Sequence, residues 1–409
     1  MARCRQWKMN RPMRILWLCS MFPSSFDWLS GPWNIRGTVA LRDCTGHAVR
    51  VVCPVGMTPP PALLRQGVTK PGVVREWLRE RGDSPRAGEV RGIPVTYPRW
   101  RWGPKKLLWG YEGWFMYRQL RKHLAEIVRE FKPDVVHAPW ISPEGVCASM
   151  MGREHGLPVV VQGIGNDANV YLHEFPHSGY VIKHVRRASA LLFNCRSTRN
   201  AAAAAGLTHP NTHIIFHGVE TDLFEPDANR TEFGHRIITV AQLLPRKNHQ
   251  LLLHAFTHLP ADLRDSSTLY FVGGGPLKSS LEDLAKDLGI ADRVTVAGRL
   301  PHEEMVREMQ QSDIFCLPTL SEGMPVATIE AMSVGLPVVA SRTDGLPETI
   351  AEPTCGILVP PADVKALTDA LVEALRRQWD RRAIREHVLS NYTWEQFADK
   401  ITELYESVR

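Results

Sequence analysis

The chain has 409 residues, 44% of them hydrophobic and 22% charged, which suffices for two ordinary domains with full cores and argues against wholesale disorder. Its eight cysteines form no Cys-x-x-Cys pair, which excludes a zinc-ribbon or disulfide framework and reads as reduced, mostly buried thiols of a cytosolic protein. The net charge of +6 is uneven: residues 1–165 carry +13, the remainder −7, and ten of twelve tryptophans precede residue 141, so two domains with different partners are expected.

No apolar run reaches the roughly 18 residues needed to span a bilayer. The opening "MARCRQWKMNRPMRILWLCSMF" superficially resembles a signal peptide, but no convincing small-residue cleavage site follows it. It reads as a basic leader and then a first buried strand from Arg14 to Met21. "AVRVVCP", "DVVHAPW", "LPVVVQG", "ALLFNC" and "THIIFHG" continue as short, β-rich segments of buried parallel strands, with helices at Met116–Phe131 and Pro143–His155. Residues 57–92, rich in Pro and Arg, read as a loop or excursion. The pattern restarts after "GVETDLFEP" with "RIITVAQ", "STLYFVGGG", "DRVTVAG", "DIFCLPT", "LPVVAS" and "CGILVP". Helices are expected at Asn248–Thr257, Leu277–Leu288, His302–Gln311, Val326–Val334 and Val364–Arg377. A last amphipathic helix covers Asn391–Arg409. The fold class is therefore α/β, with two doubly wound Rossmann-like domains facing a cleft. The expected division is a first domain at 12–217, a linker at 218–226, a second domain at 227–385, and a C-terminal helix within 386–409 that could pack back on the first domain.

"SEGMPVATIEAMSVGLPVVAS" holds Glu322 and Glu330 eight positions apart in an otherwise apolar stretch. Glu322 lies in a loop closed by Gly323 and Pro325, ahead of a helix N-terminus whose free N–H groups suit phosphate; Glu330 lies about two turns further on. Carboxylates accept hydrogen bonds from sugar hydroxyls, so the pair could hold two hydroxyl-bearing groups on either side of a phosphate. The alternative is two ordinary helix or salt-bridge acids. "VGGGPLKSSLEDLAKDLGI" is a strand, glycine turn and helix, and such a turn lets backbone approach a ligand closely. It lacks the GxGxxG spacing and is weak alone. Arg246 and Lys247 follow a strand and begin a helix, where two cations suit a diphosphate; a solvated basic turn is the alternative.

Taken in order, these stretches resemble the donor-binding domain of the retaining glycosyltransferases of the GT-B fold, family 4. The resemblance rests on Ala241-Gln242-Leu243 with Lys247, Gly274-Gly275-Pro276, Gly298 with Glu303, and Glu322-Gly323 through Glu330-Ala331 with Gly335 and Pro337-Val338, then "DGLPE" at Asp344–Glu348. It covers nearly all of residues 235–385. In the first domain "GPWN", "PDVVHAPWISPEG", "VVVQGIGNDAN" and "GVETDLF" resemble the same family more loosely. Two departures stand out. Gln242 occupies the place of the family's usual Arg, for which Arg246 could substitute, and Ile164 precedes Gly165-Asn166-Asp167 where the family often has His or Arg.

The resemblance implies transfer of a sugar from a nucleotide-diphosphate sugar to a hydroxyl, with retention at the anomeric carbon and without a metal or other cofactor. It assigns Glu322, Lys247 and Arg246 to catalysis, and Glu330, Gly323, Met324, Pro325, Gly274, Gln242 and Arg299 to the donor. Gly31, His137 and Asp167 fall on the acceptor side, although a strand-end histidine such as His137 is commonly structural. The implied partners are a nucleotide sugar and a glycan or lipid-linked acceptor, in cell-surface polysaccharide or glycolipid biosynthesis, with no nucleic acid. "YPRWRWGPKKLLWGYEGWFMYRQLRK", Tyr97–Lys122, mixes cations with aromatics. It could dock on an anionic cytoplasmic membrane face, or its tryptophans could be core or stack on a soluble sugar. A degenerate protein that binds nucleotide sugar or glycan without turnover, and a sugar-nucleotide epimerase of the same fold, are the alternatives; Gln242 and Ile164 favour the first, and the glutamate pair argues against the second.

Overall fold

The structure is a computed structural model that describes residues 12–25, 27, 31–103, 105–230 and 234–409; the basic leader at 1–11 lies outside the described residues. The chain forms two compact units, one running to His217 and completed by Trp394–Arg409, the other spanning Gly218–Thr393.

The first unit is built on an eight-stranded sheet. Its order is Thr212–Ile214, Ala190–Phe193, Val159–Gly163, Val135–Ala138, Arg14–Leu18, Ala48–Val52, Ile93–Thr96 and Ala87–Val90. Ala87–Val90 pairs antiparallel with its neighbour. The central strands are mostly apolar because both sheet faces are covered, as parallel sheets require; His137 and Gln162 are buried polar exceptions. The strand order reverses between Arg14–Leu18 and Val135–Ala138, which pair in register through Trp17 and His137. The second unit has six parallel strands in the order Val294–Gly298, Ser267–Val272, His235–Val240, Ile314–Leu317, Val338–Ser341 and Gly356–Val359. Its reversal falls between His235–Val240 and Ile314–Leu317. Open α/β sheets bind ligands beyond the carboxyl ends of the strands at such reversals.

Residues 57–92 are not a loop. Helices Pro61–Thr69 and Pro71–Asp83 occupy most of the segment. The prolines that read as breakers stand at first helical positions, where a missing N–H costs nothing and the fixed φ suits the helix. The 97–122 stretch takes the core alternative for half of its aromatics. Tyr97, Trp100, Trp109 and Tyr117 are buried, the last on the face of helix Glu112–Phe131 that also turns Met116, Leu120, Leu124 and Ile127 inward. Leu107 remains exposed, with Arg101, Arg118, Arg121 and Lys122. Among the described residues, no helix is long and apolar enough to cross a membrane. All described cysteines are free, and all but Cys44 are buried.

Residues 386–409 divide between the units. Helix Arg381–Asn391 stays with the second, where Arg385 Nη1 donates to the carbonyls of Phe224 at 2.7 Å and Ser333 at 2.6 Å. Helix Trp394–Val408 buries Phe397, Ala398, Ile401, Leu404 and Tyr405 in the first unit. A buried polar chain fixes it there. The Tyr405 hydroxyl bonds His137 Nδ1 at 3.0 Å, His137 Nε2 bonds Gln162 Oε1 at 3.1 Å, and Gln162 Nε2 bonds His217 Nε2 at 3.0 Å. One tautomer set satisfies all three bonds: His137 donates from Nε2 and accepts at Nδ1, and His217 accepts at Nε2. Burial holds both rings neutral, pulling His137 down to about 3 and His217 to about 4.

Candidate functional site

Three turns meet at the carboxyl ends of the second unit's central strands. The first, Ala241–Asn248, leaves His235–Val240 and closes in a short helical turn, Pro245–Lys247, before Asn248 takes a left-handed φ of 54°. The second is the glycine turn after Ser267–Val272. It is stitched to the first through Ala241 N–H to the Val272 carbonyl at 3.0 Å and Leu243 N–H to the Gly274 carbonyl at 3.0 Å. A Cβ on Gly273, where φ is 147°, would stand 1.9 Å from the Ala241 carbonyl oxygen, and one on Gly275 would stand 2.4 Å from that of Leu243. Two of the three glycines thus let protein backbone, not ligand, approach closely. Gly274 is the one of the three where a Cβ would meet no backbone, its nearest neighbour being Arg299 Cβ at 3.8 Å.

The third turn, after Ile314–Leu317, is clasped to Arg246. Leu320 N–H and the Thr319 hydroxyl both donate to the Arg246 carbonyl, at 2.8 and 3.0 Å, and Arg246 Nη1 donates to the Ser321 carbonyl at 3.2 Å. This arrangement delivers Glu322, which is 8% exposed. Lys247 Nζ donates to its Oε1, Arg246 Nη1 lies 3.8 Å from its Oε2, and its own N–H donates to Asp344 Oδ2 at 2.6 Å. Gly323, Met324 and Pro325 then lead into helix Val326–Ser333. Glu330, 8% exposed, lies about one turn into that helix rather than two. Gln242 is exposed on the first turn and Arg299 on the loop after Val294–Gly298.

Lys247 is a buried cation beside another cation. Desolvation, with Arg246 alongside, pulls it down from the ordinary lysine range to about 7. Contact with the Glu322 carboxylate pushes the other way. The net direction is down. The cluster brings Arg246, Lys247 and Glu322 together across 75 residues of sequence. Its members are poised to meet an anion (through the cations and the helix N-terminus) and hydroxyl groups (through the carboxylates).

The residues assigned to the acceptor side lie in the first unit. Gly31 caps helix Pro32–Thr45 in a left-handed conformation, φ 60°, and a Cβ there would stand 2.0 Å from the Met21 carbonyl oxygen. His137 and Asp167 are held inside the unit by internal hydrogen bonds. His137 is wholly buried, stacked 4.0 Å from Trp17 and bonded at both nitrogens. Asp167 is likewise wholly buried, and its carboxylate accepts from the N–H groups of Ile141 at 3.2 Å, Ile164 at 3.2 Å and Gly165 at 2.8 Å. Burial raises it to about 6, against the pull of those amides. It therefore ties the loops after two neighbouring strands together.

Sequence reasoning missed Asp344 and Asn34. Asp344 holds a left-handed φ of 48°, which the Asp-Gly pair signals as a turn but not as a tether for Glu322. Asn34 accepts from Trp17 Nε1 at 3.3 Å and donates to the Met21 carbonyl at 2.7 Å, pinning the Gly31 turn.

Solved structures that share this architecture include GT-B glycosyltransferases. Sucrose-phosphate synthase from Thermosynechococcus elongatus matches with a TM-score of 0.67 at 17% identity, over 97% of this chain and 99% of that one. Anabaena HepE in complex with UDP matches with a TM-score of 0.71 at 16% identity, over 97% and 100%. By sequence, residues 36–218 match the glycosyl transferase 4-like domain and residues 225–391 the glycosyl transferases group 1. A GDP-mannose-dependent α-(1-6)-phosphatidylinositol monomannoside mannosyltransferase of Mycolicibacterium smegmatis is 30% identical over 285 residues, 63% of this chain and 69% of that protein. Bacillus subtilis TuaC, named for teichuronic acid biosynthesis, is 26% identical over 88% of both chains. The chain belongs to the group 1 glycosyltransferases of the GT-B type.

Proposed function

We propose that the protein transfers a sugar from a nucleotide-diphosphate sugar to a hydroxyl acceptor, with retention at the anomeric carbon and without a metal. The observation that carries this reading is the Arg246–Lys247–Glu322 cluster at the second unit's strand reversal. Two cations and a helix N-terminus supply positive potential where charge develops on a departing diphosphate, the task a divalent cation performs elsewhere. Glu322 orients the donor sugar's hydroxyls, and Glu330 accepts from the ribose hydroxyls. The departing phosphate oxygen takes the acceptor's proton, so the protein need supply no base. The acceptor is a glycan or glycolipid of a cell-surface polymer, as the relatives' names suggest, and the base is uridine or guanosine. Docking on an anionic membrane face would rest on Leu107 and its neighbouring cations, since half of the aromatics of that stretch are buried. Gln242, exposed where an arginine is usual, keeps binding without turnover as the second reading.

Thermal-shift titration with UDP, GDP, ADP and their sugar conjugates tests the donor site. One nucleotide should stabilise the wild type, and Glu330→Ala should lose that stabilisation. No shift with any nucleotide at millimolar concentration refutes the site. Lys247 makes the affinity pH-dependent. A diphosphate favours the ammonium, so its pKa rises on binding and a proton is taken up. Nucleotide affinity should therefore fall as pH rises from the empty-site value of about 7 toward the higher bound-state pKa. Calorimetry in buffers of different ionisation enthalpy should show the proton uptake, and Lys247→Arg should flatten the profile.

A further inference from the structure

The first unit holds a cavity of about 490 Å³ that none of the residues discussed as its functional candidates lines. It opens beyond the carboxyl ends of Arg14–Leu18 and Ala48–Val52, through Ser20 and Phe22 after the first strand and Cys53 and Pro54 after the second. The opposite wall comes from the 57–102 segment and carries Trp77, Arg81, Trp100 and Trp102, with Asp27 at the edge. Its size falls in the range of about 300–1,000 Å³ typical of small-molecule pockets.

We infer that this cavity is a glycan subsite that takes a pyranose ring of the acceptor, an inference that rests on the transferase reading above. A pyranose offers an apolar C–H face and a polar hydroxyl edge, and the wall matches both. The Trp100 and Trp102 rings lie 4.9 Å apart, and Trp77 carries the Arg81 guanidinium 3.9 Å from its ring. Amphipathic aromatics give large contact area with one end able to remain wet. Asp27 and Arg81 supply charged hydrogen-bonding groups for hydroxyls.

Two features show that the wall is built in advance. Trp102 lies against Gly56, where a Cβ would stand 2.1 Å from Trp102 Cζ3, so only glycine admits the ring. The Thr58 hydroxyl donates to the Trp102 carbonyl at 2.8 Å and accepts from its N–H at 3.0 Å. Such preorganisation lowers the ordering cost of binding.

Saturation-transfer NMR on the full chain with methyl α-D-mannopyranoside, methyl α-D-glucopyranoside and methyl β-D-galactopyranoside tests this. At least one should receive saturation through its ring protons. Trp77→Ala, Trp102→Ala and Asp27→Asn should each weaken that signal by about fivefold, from the loss of one aromatic or charged contact. The nucleotide-induced thermal shift should be unchanged in all three, which also shows that the variants are folded. Ring-proton saturation undiminished in Trp77→Ala and Asp27→Asn overturns the proposal, because the sugar then sits elsewhere. No saturation by any glycoside, with the nucleotide shift intact, overturns it while leaving the donor site standing. Loss of both responses in the wild type overturns both readings.

Discussion

Lys247→Met should abolish transfer more completely than any other single change in the second unit, and should lower stability as well. The lysine and Glu322 are in contact, and each is about nine-tenths buried. Removing the cation leaves the carboxylate with Arg246 at 3.8 Å, whose side chain is 43% exposed. Breaking a buried pair from one side costs about 3–5 kcal/mol. Turnover should fall by about 10²–10³-fold, the usual effect of deleting one group that stabilises developing negative charge. The two effects are separable. Adding Glu322→Gln to Lys247→Met should restore much of the melting temperature, because no buried charge is then stranded, yet turnover should stay lost. Differential scanning fluorimetry beside a radiolabelled-donor assay reads both. A Lys247→Met protein that melts early but transfers sugar at the wild-type rate would reduce the lysine to a structural part.

Asp167→Ala should lower the melting temperature by roughly 10 °C without altering nucleotide affinity. The change strands the amides of Ile141, Ile164 and Gly165. A buried donor left unmet costs about 1–3 kcal/mol, and three in one cluster share some relief, for a total of about 3–4 kcal/mol. In a unit of this size that corresponds to a shift of roughly 10 °C. An unchanged melting temperature with a raised acceptor KM would reverse the structural assignment and return Asp167 to the substrate.

Sequence spacing was a good guide where function and periodicity coincide. The strand-helix alternation gave the second sheet and six strands of the first to within a few residues, since buried parallel strands announce themselves as short apolar runs; Ala87–Val90 and Ile93–Thr96 at the edge of the first sheet were not read. The Glu322–Glu330 stretch could be read as a site because acids are costly in an apolar segment. What escaped was pairing at a distance. Nothing near Lys247 in the chain names Glu322 as its partner, and nothing near Glu322 names Asp344. His137 could not be told from a site histidine until its two partners, Gln162 and Tyr405, arrived from a neighbouring strand and the last helix. The helices within 57–92 escaped because proline is a breaker at most positions and an initiator at one.

The buried chain from Tyr405 to His217 bears on how the polypeptide is made. The first unit includes Trp394–Arg409, so its core lacks Phe397, Ile401, Leu404 and Tyr405 throughout synthesis of the second. Until those residues leave the ribosome, His137 lacks its Nδ1 partner, and the apolar face of helix Pro32–Thr45 lacks the helix that packs on it. The second unit, whose own contacts all lie within one continuous segment, can close first. Its two ends meet where Val219 N–H donates to the Tyr392 carbonyl at 2.9 Å, and this closure brings residue 394 back beside residue 217. Closure of the later-made unit thus reduces the entropic cost of docking helix Trp394–Val408 on the earlier-made one.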